Sequence, residues 1–396
     1  MKTLDHLKFE DLRNLNSAAY IYSDQMLFQR IELLKKALPQ EIGIFYSLKA
    51  NSNRRLLSRI QSESLGADVA SLSELEAALK CGFPPERIEL TGPGKDPELL
   101  RGALENQIGA LVIESIEELL LLEQLASESG QKISVCVRVH PARYYSLQGR
   151  EILFQSSQFG IDEEQMELFF TTLQSCPSIS LRGFHIYTLS QILDGSLLMR
   201  NFEAAFESVL RCLKHYPFPI QMISLGGGFG IDYYEGQAPL DLAVLRRGFE
   251  QILSRTQSHP SLLQVKICVE SGRFLAGPAG VYVAQVQFVK ESRGKKIAIL
   301  NGGFNQNMAV CGVGQLLRKN YKLKALCQGG AAALEVVTLA GPSCYSLDVL
   351  AQEVLLPKLQ RGDFIVFENC GSYGASFSPQ NFLGLPASQD IFFEDL

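Results

Sequence analysis

Between about residues 43 and 271 the chain repeats one pattern eight times: a short run rich in β-branched or aromatic residues, then a longer segment whose apolar residues recur every three or four positions. The runs are Ile44 to Leu48, Asp68 to Ala70, Ile88 to Thr91, Leu111 to Ile113, Ser134 to Val139, Leu181 to Tyr187, Met222 to Leu225 and Val265 to Glu270. Between them lie segments such as SLSELEAALKCGF and SIEELLLLEQLASESG, in which a Ser before an acidic first turn marks a helix start. Eight βα units predict a (β/α)8 barrel, a fold of about 250 residues, rather than a doubly wound sheet. After Gly272 the texture changes to strand-like stretches (GVYVAQVQFVKES, KKIAILNGG, EVVTLAGP, DFIVFENCG) with little helical periodicity. The early AAYIYSD also reads as a strand. The expected organisation is a barrel over residues 28–272 and a mostly β domain built from 1–27 and 273–396.

Composition limits what such a chain does. With 46% hydrophobic and 20% charged residues it belongs to the ordered globular class, and a net charge of −5 gives no electrostatic reason for nucleic acid as the main partner. No apolar run approaches the roughly 20 residues that cross a bilayer, and MKTLDHLKFEDLRNLN is charged where a signal peptide is apolar, so a cytoplasmic location away from membranes is expected. Nine cysteines are an odd number with no CxxC pair, which points to reduced thiols and no structural metal.

Enzymes on this fold work at the C-terminal ends of the strands, and polar residues gather there in FYSLKAN, VCVRVH, GFHIYTLSQ, ISLGGGFG and ICVESGR. Lys49 ends an apolar strand, where partial desolvation favours the neutral, nucleophilic amine; a Lys snorkelling at the rim is the plainer alternative. Gly226, Gly227 and Gly228 follow the seventh strand, where barrels commonly bind phosphate, although three glycines also simply make a tight turn. Glu270 and Arg273 either pair with each other or serve a ligand, and His185 alone is either a satisfied core residue or a catalyst. Together, a reactive Lys, a phosphate cradle, a His and a carboxylate suit one ligand, a pyridine aldehyde bearing a phosphate.

The ordered motifs FYSLKANSN, FHIYTLSQ, SLGGGFG, ESGRFLAGPAG, AGPSCYSLD and ENCGSYGASFSP, spread over essentially the whole chain, resemble the fold-type III pyridoxal-phosphate decarboxylases of ornithine, arginine and diaminopimelate. Within that family HIYTLSQ, two residues longer than the usual His-x-Gly-Ser-Gln, and SFSPQNFLG are similar to the L-glutamyl-[acyl-carrier-protein] decarboxylases. The resemblance implies that Lys49 binds pyridoxal 5'-phosphate covalently, that His185 stacks on its ring and that Glu270 keeps the ring nitrogen protonated. It assigns the phosphate to Ser190, Gly227, Gly228, Arg273 and Tyr373, and the positioning of Lys and ring to Asp68 and Arg138. It makes Cys344 the acid that reprotonates the substrate carbon across a homodimer interface, with Tyr345 and Asp348 at the substrate.

Departures from the family pattern sharpen the substrate. The residue after the cysteine is acidic in the ornithine and diaminopimelate enzymes, where it meets a distal ammonium, and here it is Tyr345. Leu189 replaces a usual Gly before Ser190, and Ser271 a usual Pro. The expected reaction is therefore α-decarboxylation of a non-basic or carrier-tethered amino acid. Decarboxylation of a free basic amino acid, racemisation and a non-catalytic regulatory role are the alternatives. LLRKNYKLKAL gathers Arg318, Lys319, Lys322 and Lys324 without an acid, either a solvated basic loop or a docking patch for an acidic carrier protein.

Overall fold

The computed structural model describes residues 4–313, 318–329 and 333–396. The chain divides into two compact units, Leu33–Gly230 with Leu240–Ser271, and Met1–Glu32 with Ile231–Pro239 and Gly272–Leu396.

The first unit is a closed parallel barrel of eight strands: β1 (Gly43–Ser47), β2 (Gly66–Val69), β3 (Ile88–Leu90), β4 (Ala110–Ile113), β5 (Ile133–His140), β6 (Ile179–Ile186), β7 (Met222–Ser224) and β8 (Lys266–Ser271). Each pairs with its successor, and β8 closes on β1 with Glu270 opposite Phe45. All eight expected strands are present. The helix starts follow from local chemistry. Ser71 accepts from the Glu74 N–H at 3.2 Å while the Glu74 carboxylate accepts from Ala70 N–H at 2.8 Å, and Ser115 and Glu118 repeat this reciprocal cap. Each such cap contributes about 1 kcal/mol.

Strand periodicity then builds the interior in layers. Phe45, Ala110, Val112, Cys136, Met222 and Cys268 pack together as an apolar layer. Two residues further along the strands, on the same face, come Ser47, Glu114, Arg138, Ser224 and Glu270. The same alternation that fills the barrel with apolar side chains thus delivers polar groups to its C-terminal end.

The second unit is built on an eight-stranded sheet. The N-terminal strand Ala19–Tyr22 pairs antiparallel with Gly280–Ser292 and parallel with Gln389–Phe392, so the mostly β domain includes it as expected. Its core gathers Leu4, Leu7, Leu12, Ile21, Val281, Val283, Phe364, Val366 and Phe393. The boundary drawn from sequence, residues 28–272, differs from the structure at residues 28–32 and at Gly272, which belong to the β unit, and at Ile231–Pro239, which joins it as well. Lys322 N–H donates to Tyr233 C=O and Tyr234 bridges to Tyr321, pairings between distant segments that no local periodicity announces. Among the described residues, no helix is long and apolar enough to cross a membrane.

Candidate active site

Lys49 sits on a single 3-10 turn, Leu48–Ala50, directly after β1. Its Nζ lies 2.8 Å from Asp68 Oδ2, and Thr91 Oγ1 donates to the other Asp68 oxygen at 2.7 Å. Asp68 is buried while the Lys49 side chain keeps 46% of its surface, so a buried acid anchors a lysine whose side chain solvent still reaches. A rim lysine snorkelling into solvent would have no such buried partner.

Glu270 is buried at the end of β8 and accepts from His185 Nε2 at 2.6 Å and Ser224 Oγ at 3.0 Å. Burial works to raise its pKa, yet the charge and hydrogen bond of His185, reinforced by Lys49 and Arg138, hold its carboxyl down at about 2. An ionised acceptor places the imidazole proton on Nε2, and His185 Nδ1 has no partner among the described residues. Arg138 reaches both oxygens of Glu114, at 3.0 and 3.1 Å, and Glu114 also accepts from the Gly92 and Gly160 N–H groups. Burial opposes the Glu114 charge, but Arg138, Lys95 and the Gly92 N–H outweigh it and lower its pKa. Arg138 was expected to position the lysine and the ring; it hydrogen-bonds Glu114, with Phe159 4.7 Å under the guanidinium.

The glycine turn after β7 admits nothing larger. A Cβ on Gly227 would lie 2.7 Å from the Glu270 carbonyl oxygen, and Gly228, at φ +112°, would put one 2.7 Å from the Leu189 carbonyl. Bare backbone here can approach an anion, and Ser190 is exposed in the preceding loop.

In the β unit Arg273 donates to Tyr233 Oη at 2.6 Å and stacks 4.5 Å over the ring of Tyr373, itself held at φ +52°. Cys344 is an exposed, free thiol. The Tyr345 ring beside it lies 4.7 Å from Phe304 and 6.2 Å from Phe382. Asp348 was expected near the substrate. It is buried, and its two oxygens accept from the backbone N–H groups of Phe304 at 2.7 Å and Ser343 at 2.9 Å, so in this chain it holds the path of the cysteine loop.

The basic segment is also largely spoken for. Arg318 donates to the Val349 carbonyl, Lys322 pairs with Asp232, Lys324 donates to the Asp5 carbonyl and Lys319 lies over the Tyr234 ring. Leu316 and Leu317, which begin the segment, lie outside the described residues.

Two further acids stand in none of the ordered motifs. Glu114 follows the Leu111 to Ile113 run at a strand end, as Lys49 follows its own run. Glu89, in the middle of β3, is fully buried, and an oxygen from each of Asp68, Glu89 and Glu270 lies within 4.8 Å of the others. Two like charges at that separation repel by roughly 3.5 kcal/mol at an effective dielectric of 20, so all three are not ionised together at low cost.

These residues fit pyridoxal phosphate. A lysine at a strand end held by a buried acid suits its aldehyde, a buried ionised carboxylate suits a protonated ring nitrogen, and a glycine turn closed to any Cβ suits its phosphate. Comparison with known proteins agrees. Residues 25–277 match the model of the pyridoxal-dependent decarboxylase, pyridoxal binding domain. The chain is 31% identical to L-glutamyl-[BtrI acyl-carrier protein] decarboxylase of Niallia circulans, over 94% of this chain and 87% of the relative. It is 30% identical to diaminopimelate decarboxylase of Bacillus subtilis, over 95% and 86%. The crystal structure of diaminopimelate decarboxylase from Helicobacter pylori complexed with L-lysine superposes with a TM-score of 0.85 at 26% identity, covering 98% of this chain and 94% of that one. The chain therefore belongs to the fold-type III, pyridoxal-phosphate-dependent amino-acid decarboxylases.

Proposed function

We propose that this enzyme removes the α-carboxylate from an amino acid that carries no distal ammonium, either free or tethered as an aminoacyl group to an acyl carrier protein. One observation carries the choice of substrate. Asp348 is the single acid in Gly341–Leu350, and both of its oxygens are engaged by backbone N–H groups, while the position after Cys344 is an aromatic packed on Phe304. That segment offers a distal cation no free carboxylate. Similarity to the glutamyl-carrier-protein decarboxylase supports the same choice, and equal similarity to diaminopimelate decarboxylases is the reason it needs a test.

Pyridoxal phosphate supplies the electron sink that lets the bond to the carboxylate break. The chain supplies the rest. Lys49 presents the amine that holds the cofactor, and Asp68 orients that amine. Glu270, kept ionised, takes the protonated ring nitrogen as its partner, with His185 at the ring. Ser190, the N–H groups of Gly227 and Gly228, Arg273 and Tyr373 are assigned to the phosphate, and Arg138 to positioning through Glu114. Cys344 delivers a proton to the substrate carbon after carbon dioxide leaves, and Tyr345 contacts the substrate. The exposure of Cys344 and Tyr345 suits a homodimer in which one copy's thiol serves the other, and the free thiols of all nine cysteines suit a reducing cytoplasm.

The deciding experiment is a mass-spectrometric screen for loss of carbon dioxide from ornithine, lysine, arginine, diaminopimelate and glutamate beside carrier-loaded aminoacyl thioesters. Turnover is expected for glutamate or a loaded carrier. Faster turnover of a free basic amino acid overturns the proposal.

A further inference from the structure

Glu89 holds none of the roles assigned to cofactor or substrate. It lies opposite Asp68 in the pairing of β2 with β3, and neither carboxyl oxygen has a hydrogen-bond partner among the described residues. Its two acidic neighbours differ from it. Asp68 is held by Lys49 and Thr91, and Glu270 by His185 and Ser224. The titratable and charged groups that act on Glu89 from the surrounding strands are these two carboxylates, the Lys49 ammonium, and the thiols of Cys136 on β5 and Cys268 on β8.

An ionised carboxylate buried without a donor is a costly state, and a neutral carboxyl is far less so. Of the three acids in the cage, Glu89 alone has neither cation nor donor in contact, so the proton that the cluster must keep belongs there. We propose that Glu89 is a positioning residue that carries a proton beside Glu270 and thereby leaves Glu270 ionised to hold the cofactor's ring nitrogen. Burial and the like charges of Glu270 and Asp68 push the Glu89 carboxyl well above the usual range, with Lys49 opposing in part. Were Glu89 ionised instead, two neighbouring carboxylates would compete for one proton and Glu270 would carry it part of the time. The inference rests on the role of Glu270 proposed above.

The first test uses the cofactor-free protein. Infrared spectra near neutral pH should show a protonated carboxyl C=O band that Glu89→Gln removes. Absence of the band, or its survival in Glu89→Gln, overturns the proposal. If Glu89→Gln does not fold, Glu89→Asp should shift the band, and an unshifted band counts against it equally. Stability gives an independent readout. The folded chain keeps a proton that the unfolded chain releases above the ordinary carboxylate range, so wild type should lose melting temperature relative to Glu89→Gln as pH rises from about 5 to 8. A constant difference overturns the proposal.

With cofactor bound, the visible spectrum of wild type should show an alkaline transition that Glu89→Gln lacks. Identical pH dependence in the two proteins overturns the link to Glu270. Should Glu270→Gln also leave the spectrum unchanged, the assigned role of Glu270 fails, a separate outcome from failure of Glu89 alone.

Discussion

In the barrel, each reactive side chain is gripped directly by another: Lys49 by Asp68, Asp68 by Thr91, His185 by Glu270, Glu270 by Ser224. In the cysteine loop the buried carboxylate, Asp348, grips only backbone, and Cys344 and Tyr345 project from it exposed. The barrel sets side-chain chemistry, including charge state, within one chain. The loop sets the path of the main chain and leaves its thiol exposed. Mutations in the two regions should accordingly fail differently, the first in cofactor chemistry and the second in proton delivery or loop stability.

The largest expected effect is in the barrel. Lys49→Ala should abolish the visible absorbance of the bound cofactor and lower turnover by roughly three orders of magnitude, the scale of losing a covalent and acid–base group. Unchanged absorbance would break the barrel side of the comparison. Cys344→Ala should come next. Turnover should drop by about 10²-fold or more, as for loss of a general acid, with the cofactor spectrum and melting temperature unchanged because the thiol is exposed. A shifted cofactor spectrum in this variant would mean that the loop also sets cofactor chemistry.

Asp348→Ala separates the loop's shape from its chemistry. It leaves the N–H groups of Phe304 and Ser343 without their acceptor, and charge-assisted hydrogen bonds of this kind together contribute about 3 kcal/mol. Denaturant unfolding should register that loss, and turnover should fall because Cys344 is displaced. If turnover falls while stability holds, Asp348 meets substrate after all.

The two regions also differed in how far they could be read from sequence. The eight strands were visible because each combines a short apolar run with a following helix start, a purely local signal. Lys49, His185 and Glu270 were visible as candidates because they lie at strand ends, and the structure does bring Asp68 to Lys49 and His185 to Glu270. Glu89 was hidden because a glutamate inside the three-residue run Ile88–Leu90 looks like ordinary alternation toward solvent, and only closure of the barrel buries it. The backbone contacts of Asp348 were hidden for a related reason. Only the family resemblance singled the residue out, and one of its partners, Phe304, lies 44 residues away in the chain. Ile231–Pro239 likewise takes its place from pairing with Tyr321 and Lys322. Local periodicity is legible; partners chosen by tertiary closure are not.

The smallest expected effect concerns the charge state that the barrel maintains. Glu270 sits at about 2 when folded, below the ordinary carboxylate value of 4.5, because His185 favours its ionised form. As pH falls, the unfolded chain takes up this proton first, so the stability contributed by Glu270 is fully present above about pH 4.5 and is lost as pH drops toward 2. Glu89 acts in the opposite sense and over a higher range, since its retained proton favours the folded state at low pH and disfavours it as pH rises. In denaturant titrations of the cofactor-free protein, Glu270→Gln should flatten the acid limb by at most about 3 kcal/mol, and only at acid pH. It should reduce but not remove the neutral-to-alkaline slope, because burial still holds the Glu89 proton once the Glu270 charge is gone. Were Glu270→Gln to remove the alkaline slope as well, the two carboxyls would be sharing one proton rather than dividing the roles, and the barrel would set its charge state as a pair.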